Sequence, residues 1–153
     1  PAVLRQILYK IKLFKAQYPK YKVSLFGYPT WLEHEEALRE DLCAVDTYIY
    51  TNTFYNPYSR GIAEFNAQYK AWFNADPLDV TPRMGLLGHD LACHLLQGLF
   101  TYGKNFTTLR AGTGMLQSNM HFAATEAGGG LVNNSVSFIH YKSDKTIEQI
   151  QSR

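Results

Sequence analysis

The sequence predicts an α/β fold: a few-stranded, mainly parallel sheet flanked by helices and followed by a C-terminal antiparallel ribbon. In the first third, helix-type and strand-type apolar patterns alternate, which is typical of parallel strands joined by right-handed crossovers. Residues 57–103 then carry two successive helical patterns, and residues 115–142 carry the period-two alternation of strands. The 153 residues, 46% hydrophobic and 18% charged, suit one globular domain.

Residues 1–46 predict a helix, a strand and a second helix. Apolar side chains recur at helical spacing over residues 2–18, and Pro19 ends that helix. Residues 23–26 form a short apolar run that predicts a strand.

The second helix is predicted to extend from about residue 31 or 32 to residue 44. Thr30 stands at its N-terminus as a cap, and Glu33 three residues later completes a capping box. The neighbouring glutamates suit the first turn of a helix because its exposed N–H groups favour negative charge.

Residues 47–56 predict a strand, rich in Tyr, Ile and Thr, followed by an aromatic turn. Residues 57–103 predict a pair of helices separated by a loop at 74–82, with Gly103 as the residue that ends the second helix.

The final third changes character. Residues 116–122 and 131–141 are predicted to pair as an antiparallel ribbon, with Gly128, Gly129 and Gly130 as a flexible turn between them. Residues 143–153 are polar and predict a loosely held tail. Because two parallel strands make a poor sheet alone, we expect neighbouring strands to lie outside this chain, as part of a larger protein.

Charge and hydropathy exclude several classes of protein. The net charge of +2 is too small to indicate a surface that binds nucleic acid. No apolar run reaches the length of a transmembrane helix. Six basic residues fall within positions 1–22 and six acids within 33–46. A solvated helix face beside an acidic neighbour explains this better than binding to anionic lipid or nucleic acid.

Several clusters could carry chemistry, and for each a structural role is favoured. His89, Asp90, Cys93 and His94 lie close in sequence, but no second cluster with metal-ligand spacing accompanies them. Cys43 and Cys93 are predicted to be small apolar side chains rather than nucleophiles, since no nucleophile signature surrounds them.

The glutamates at 33, 35 and 36 are predicted to be partners of the helix dipole rather than paired catalytic carboxylates. The triple glycine lacks the Lys-Ser/Thr of a phosphate-binding loop. The sequence therefore predicts no catalytic residue, no metal and no cofactor.

The segment 27–31 is the best candidate for binding. It follows the carboxyl end of a predicted strand and precedes a helix, where open α/β sheets bind ligands. Tyr28 and Trp31 can stack on a ligand, Thr30 or helix amides can hold an anion, and Tyr55 after the next strand could line the same crevice. A packed aromatic turn explains the segment equally well.

The order of these segments resembles the later part of type I periplasmic ligand-binding proteins, the branched-chain amino-acid receptor group of ABC transporters. The resemblance covers about residues 3–142 and lies in the following stretches: the strand 47–51, the turn Phe54-Tyr55-Asn56-Pro57, the helix 63–70, and Gly88-His89-Asp90-Leu91, which alters the usual Gly-Tyr-Asp-Ala. Residues 25–31 and 128–133 also resemble bacterial relatives in which this fold follows LysM peptidoglycan-binding modules.

This resemblance implies a non-enzymatic domain of the periplasm or cell envelope, with residues 1–46 in the second lobe and 47–56 as a crossover between lobes. It implies an upstream half of the fold and a small-molecule ligand, either an amino acid or a peptidoglycan fragment. Family relatives commonly carry Glu where Thr30 stands, and this departure from the family pattern disfavours amino-acid binding. The alternative is a protein–protein interaction module that pairs with another copy through an exposed sheet edge.

Overall fold

The computed structural model describes residues 2–78, 80, 82–126 and 129–151, and within them the chain forms four α-helices and six strands. The helices are α1 (Ala2–Gln17), α2 (Glu35–Ala44), α3 (Arg60–Phe73) and α4 (Met84–Tyr102). The strands are β1 (Leu25–Gly27), β2 (Thr47–Thr51), β3 (Phe122–Ala124), β4 (Leu131–Asn133), β5 (Ser137–Tyr141) and β6 (Ile147–Gln151). Two 3-10 segments, Pro29–His34 and Gly103–Thr108, precede α2 and follow α4.

The chain divides into two compact units. The first comprises Pro1–Thr51 and Val136–Arg153, and the second comprises Asn52–Ser135. The α/β class predicted from the sequence is confirmed, and the ends of α1, β2 and α4 fall within a residue of the predicted ones.

The first unit contains a mixed four-stranded sheet in the order β1-β2-β5-β6. Only β1 and β2 are parallel, while β5 pairs antiparallel with both β2 and β6. The prediction of a mainly parallel sheet is therefore wrong. The reason is that β5, which local patterning assigns to a terminal ribbon, returns across the sequence to pair with β2.

Helix α2 contacts β2 and β5 and buries one face of this sheet. Leu42, Val45, Ile49, Ile139 and Tyr141 are fully buried there. The hydroxyl of Thr47 donates to the carbonyl of Leu42 at 2.8 Å, so a buried polar group of β2 is satisfied by the end of α2. Helix α1 packs on α2, and Lys12 of α1 forms an ion pair of 2.6 Å with Asp41.

Two local predictions differ from the structure. Thr30 lies inside the 3-10 segment rather than at a helix N-terminus, because Pro29 occupies the first turn and Tyr28 becomes the residue before it. No side-chain hydrogen bond caps that segment, so the predicted capping box does not form.

The predicted ribbon is shorter than expected, since it consists of β3 paired with β4 alone, whereas β5 pairs with β2 and β6. Residues 143–153, predicted as a loose tail, contain β6, whose partner is β5. Gly128 lies outside the described residues.

The second unit contains α3, α4 and the β3–β4 pair. Its buried residues include Ile62, Leu86 and Met120. Gly98 is buried where an added Cβ would lie 2.7 Å from the carbonyl oxygen of Phe106, so its lack of a side chain lets the second 3-10 segment approach α4. Gly103 ends α4 with a φ of 56°. Among the described residues, no helix combines the length and apolar character needed to cross a membrane.

Candidate functional site

The four-stranded sheet of the first unit has one buried face and one open face. On β2, Thr47, Ile49 and Thr51 are buried, whereas Tyr48 and Tyr50 between them are half-buried. Strand β5 repeats this alternation. Because strand partners share a face, the register groups the less buried side chains together. The open face consists of Phe26, Tyr48, Tyr50, Phe138, His140, Glu148 and Ile150.

Four aromatic side chains at one end of this face form a continuous cluster, which we call the aromatic platform: Phe26, Tyr28, Tyr50 and Phe138. The ring of Phe26 stacks on that of Tyr50 with centroids 5.7 Å apart and lies 6.0 Å from that of Phe138. Tyr28 meets Tyr50 edge-on at 6.5 Å. Phe26 and Tyr28 remain 59% and 64% exposed, so the platform presents aromatic surface to solvent.

Gly27 fixes the position of Trp31 beside the platform. An added Cβ on Gly27 would lie 2.3 Å from a carbon of the Trp31 ring, a distance that no side chain can occupy. The indole therefore packs directly on the backbone at the end of β1. It also meets Tyr28 edge-on, with centroids 6.4 Å apart.

The four residues predicted to bind a ligand are distributed between the two units. Tyr28 and Trp31 lie together in the first unit, and Thr30 is exposed between them in the 3-10 segment. Tyr55 belongs to the second unit, where the guanidinium of Arg83 lies 3.7 Å from its ring centroid. Tyr55 therefore already has a partner on one face of its ring.

A polar cluster flanks the platform on the open face. Nε2 of His140 lies 2.7 Å from Oδ1 of Asp46, and the imidazole stacks on the ring of Tyr48 at 3.9 Å. The hydroxyl of Ser24 donates to Oδ2 of Asp46. This hydrogen bond, followed by the contact with His140, lowers the pKa of Asp46 below its ordinary value despite partial burial. The cluster thus places an ionised carboxylate and an imidazole beside aromatic surface.

Asp90 has a structural role in the second unit. Its carboxylate is fully buried and accepts backbone N–H groups from Leu116 at 2.7 Å, Gln117 at 3.0 Å and Ser118 at 2.7 Å. These bonds hold the 116–118 segment against α4. His89 lies 3.2 Å from the same carboxylate, and Cys93 Sγ lies 3.6 Å from Nε2 of His89.

The other candidate groups are in structural surroundings. Within the described part of the chain, no set of three His, Cys, Asp or Glu side chains converges as a metal site would require. Both cysteines are free, and burial raises the pKa of the Cys43 thiol, which disfavours the nucleophilic thiolate. Glu35 pairs with Arg39 at 2.8 Å, one helical turn away.

Sequence reasoning missed Phe26, Tyr50, Phe138, Asp46 and His140. Three of them alternate with buried residues on β2 and β5, and this alternation is visible in the sequence. The missing information was that these two strands are neighbours.

Comparison of the chain with protein-family models, with curated proteins and with solved structures gave no match.

Proposed function

We propose that the chain is a non-enzymatic ligand-binding domain of the bacterial cell envelope, similar in fold to part of a type I periplasmic ligand-binding protein. We propose further that its aromatic platform receives a peptidoglycan fragment. The order of motifs from residue 25 to residue 133 supports the family and the location. The observation that carries the ligand site is the cluster of rings around Phe26, in which Phe26 stacks on Tyr50, contacts Phe138 at a tilt and is itself 59% exposed.

The chemistry of the platform favours a ring-bearing ligand. Three adjacent rings give an apolar surface on which the apolar face of a sugar ring can pack. The hydroxyl and amide groups of the same ligand need donors and acceptors, which the Tyr48, Asp46 and His140 cluster supplies at the flank. A fragment that joins sugar and peptide has both kinds of group.

Tryptophan fluorescence tests this proposal with little ambiguity, because the chain contains only Trp31 and Trp72. In a Trp72→Phe variant, Trp31 is the single reporter, and it lies beside Tyr28. We expect a disaccharide–peptide fragment of peptidoglycan to shift its emission in a saturable manner and to raise the melting temperature. Free amino acids serve as the comparison ligands.

Matched variants localise the response. Tyr50→Ala removes the central ring of the platform and should abolish the shift, whereas Tyr58→Ala, at a tyrosine 83% exposed in the second unit, should leave it unchanged. If neither the fragment nor any amino acid shifts Trp31 emission or the melting temperature at millimolar concentration, the ligand-binding proposal fails.

A second candidate function is an interaction module that pairs through the edge of the four-stranded sheet. It is favoured by β1 and β6, which are the outermost strands in the sheet order of the described residues. The N–H of Leu25 donates to the carbonyl of Asp46 at 3.1 Å, so the N–H of the next residue, Phe26, points away from β2. Replacing Phe26 by Pro would block such pairing on that edge. Light scattering that finds equal masses for this variant and the unchanged chain, both folded, would exclude pairing through β1.

A further inference from the structure

Helix α1 has an exposed apolar stripe beside the stripe that it buries. Leu4 and Leu8 are buried in the first unit, where α1 packs on α2. On the neighbouring face, four apolar side chains fall within about 60° of one another at 100° per residue: Val3, Ile7, Phe14 and Tyr18. These four are between 42% and 70% exposed.

The rings at the C-terminal end of this stripe pack on one another. Tyr18 follows the last residue of α1 and continues its hydrogen bonding, since its N–H donates to the carbonyl of Phe14 at 2.8 Å. The ring of Tyr21, which is 63% exposed, lies 6.2 Å from that of Phe14 and 6.4 Å from that of Tyr18. We call the set of Val3, Ile7, Phe14, Tyr18 and Tyr21 the α1 stripe.

The part of the chain that carries the α1 stripe is basic. Residues 1–22 contain six basic residues and no acid. Lys12 pairs with Asp41 at 2.6 Å, and the charge of Lys15 contributes to the lowered pKa of Asp46. The other four are exposed, and among the described residues no carboxylate lies within ion-pair distance of them: Arg5, Lys10, Lys20 and Lys22. An acidic neighbour therefore accounts for only two of the six basic residues.

The contact with the acidic helix lies on the other flank of α1. Lys12, which meets Asp41 of α2, is about 150° around the helix from the centre of the α1 stripe. Lys10, by contrast, is within about 20° of Val3. The α1 stripe therefore has a cation at its margin, while Asp41 is on the side of α1 that faces away from it.

Apolar side chains flanked by unpaired cations fit the surface of a bilayer that contains anionic lipid. Aliphatic and aromatic side chains can enter the boundary between headgroups and acyl chains, and the long stems of lysine and arginine let their charges stay at the lipid phosphates. Tyrosine rings are enriched at this depth because one end is apolar and the other polar. Nucleic acid would satisfy the cations but would offer no apolar surface to Val3, Ile7 and Phe14.

We propose that α1 binds the surface of a membrane that contains anionic lipid, with the α1 stripe in the headgroup boundary and its basic neighbours at the lipid phosphates. Helix α1 packs on α2, which covers the buried face of the four-stranded sheet, whereas the aromatic platform is on the open face. Binding to a bilayer therefore does not depend on ligand binding at the aromatic platform, and the two proposals fail separately.

Co-sedimentation with lipid vesicles tests the proposal on the whole chain. Vesicles of phosphatidylcholine with about 30% phosphatidylglycerol should bind the protein, and vesicles of phosphatidylcholine alone should bind it at least about tenfold more weakly. Raising the salt concentration from about 0.1 M to about 0.5 M should weaken binding to the anionic vesicles, because salt screens the attraction between exposed charges.

Two adjacent residues of α1 test which face binds. Phe14 and Leu13 are 42% and 51% exposed, but Leu13 lies about 100° away from Phe14 and outside the α1 stripe. Phe14→Ser should weaken binding to anionic vesicles by about tenfold, and Leu13→Ser should leave it within about twofold. Circular dichroism checks that each variant folds. If Phe14→Ser does not, Val3→Ser at the most exposed residue of the stripe takes its place.

A matched pair of lysines tests the role of charge. Lys10→Gln removes an unpaired cation beside the α1 stripe and should weaken binding by about fivefold. Lys12→Gln makes the same change on the other flank, where the ammonium already pairs with Asp41, and should leave binding within about twofold.

The proposal is overturned if the unchanged chain sediments with neither kind of vesicle, or equally with both. Equal losses of binding in Phe14→Ser and Leu13→Ser would overturn the assignment to the α1 stripe. A chain that binds a DNA oligonucleotide and not the anionic vesicles would show that the cations serve nucleic acid instead.

Discussion

At the scale of single residues, Gly27 determines where the indole of Trp31 can lie. The backbone of Gly27 is buried beneath that ring, with no room for a methyl group between them. In the sequence, Gly27 stands at the end of a predicted strand, and the turn that follows the strand is enough to explain a glycine there. The contact with Trp31 became visible only in three dimensions.

Gly27→Ala should therefore displace Trp31 and lower the free energy of unfolding by about 1–3 kcal/mol, because the added methyl overpacks the site. Urea unfolding followed by Trp emission measures both effects. Gly130→Ala is the control, since a Cβ there meets nothing within 4 Å. Equal stability of the two variants would contradict this account of Gly27.

Asp46 is the residue whose ionisation should most clearly influence stability. Its backbone has a φ of 57°, a conformation that Asp and Asn tolerate better than most residues. Its carboxylate accepts from Ser24 and contacts His140, and the lowered pKa means that the folded state favours the ionised form.

The stabilisation from Asp46 should be fully present above its ordinary pKa of 3.8 and lost as the pH falls through the lower folded value. Asp46→Asn preserves the backbone conformation and should cost about 1 kcal/mol at pH 7, a modest value because the group is partly exposed. Unfolding free energies of both proteins, measured from pH 7 to pH 2, should converge at the acid end. A difference that persists unchanged at pH 2 would contradict this role.

At the scale of elements, apolar periodicity predicted the helices because each helix buries one stripe of side chains. The residues of that stripe lie three or four positions apart, so the pattern is visible within a short stretch of sequence. The strands were predicted less completely. β6 was missed because its sequence Ile-Glu-Gln-Ile-Gln lacks period-two hydrophobicity, so only its pairing with β5 identifies it. Of the four residues of the aromatic platform, only Tyr28 was predicted, for the same reason. Tyr28 and Trp31 are near neighbours in the chain, but Tyr50 and Phe138 meet only through the long-range register of β2 with β5.

The contact between α4 and the 116–118 segment depends on Asp90. Asp90→Ala would leave three backbone N–H groups without their buried acceptor, and it should lower the free energy of unfolding by about 3 kcal/mol. Hydrogen exchange of the amides at 116–118 should accelerate in the same variant.

Asp76→Ala is the matched control for Asp90→Ala, because the side chain of Asp76 is 74% exposed and pairs only at the surface with Lys70. Unchanged exchange at 116–118 in Asp90→Ala would mean that other contacts hold the segment.

At the scale of the whole molecule, the chain leaves the first unit after Thr51 and returns at Val136. These two exits are adjacent, since Thr51 and Ser137 are register partners on neighbouring antiparallel strands. The second unit is thus inserted in sequence between two segments of the first, which explains why the predicted strand pairing was wrong. A linear scan places residues 131–141 in one ribbon, whereas the chain crosses from one unit to the other between β4 and β5.

The first unit should fold without the second. Replacing residues 52–136 by Asn-Gly joins Thr51 to Ser137 through a two-residue hairpin turn, for which this register is suited. We expect the shortened chain to retain helical and strand circular dichroism and to unfold cooperatively. A broad, non-cooperative transition would show that the sheet depends on residues 52–136.

The adjacency of Thr51 and Ser137 has an engineering consequence. Any inserted segment has to connect two residues that are direct partners on neighbouring strands. Doubling the length of a flexible loop between them costs only about 0.6 kcal/mol. A foreign domain whose own termini are close together, such as a fluorescent protein, can be inserted between Thr51 and Ser137 while leaving the register of β2 with β5 intact.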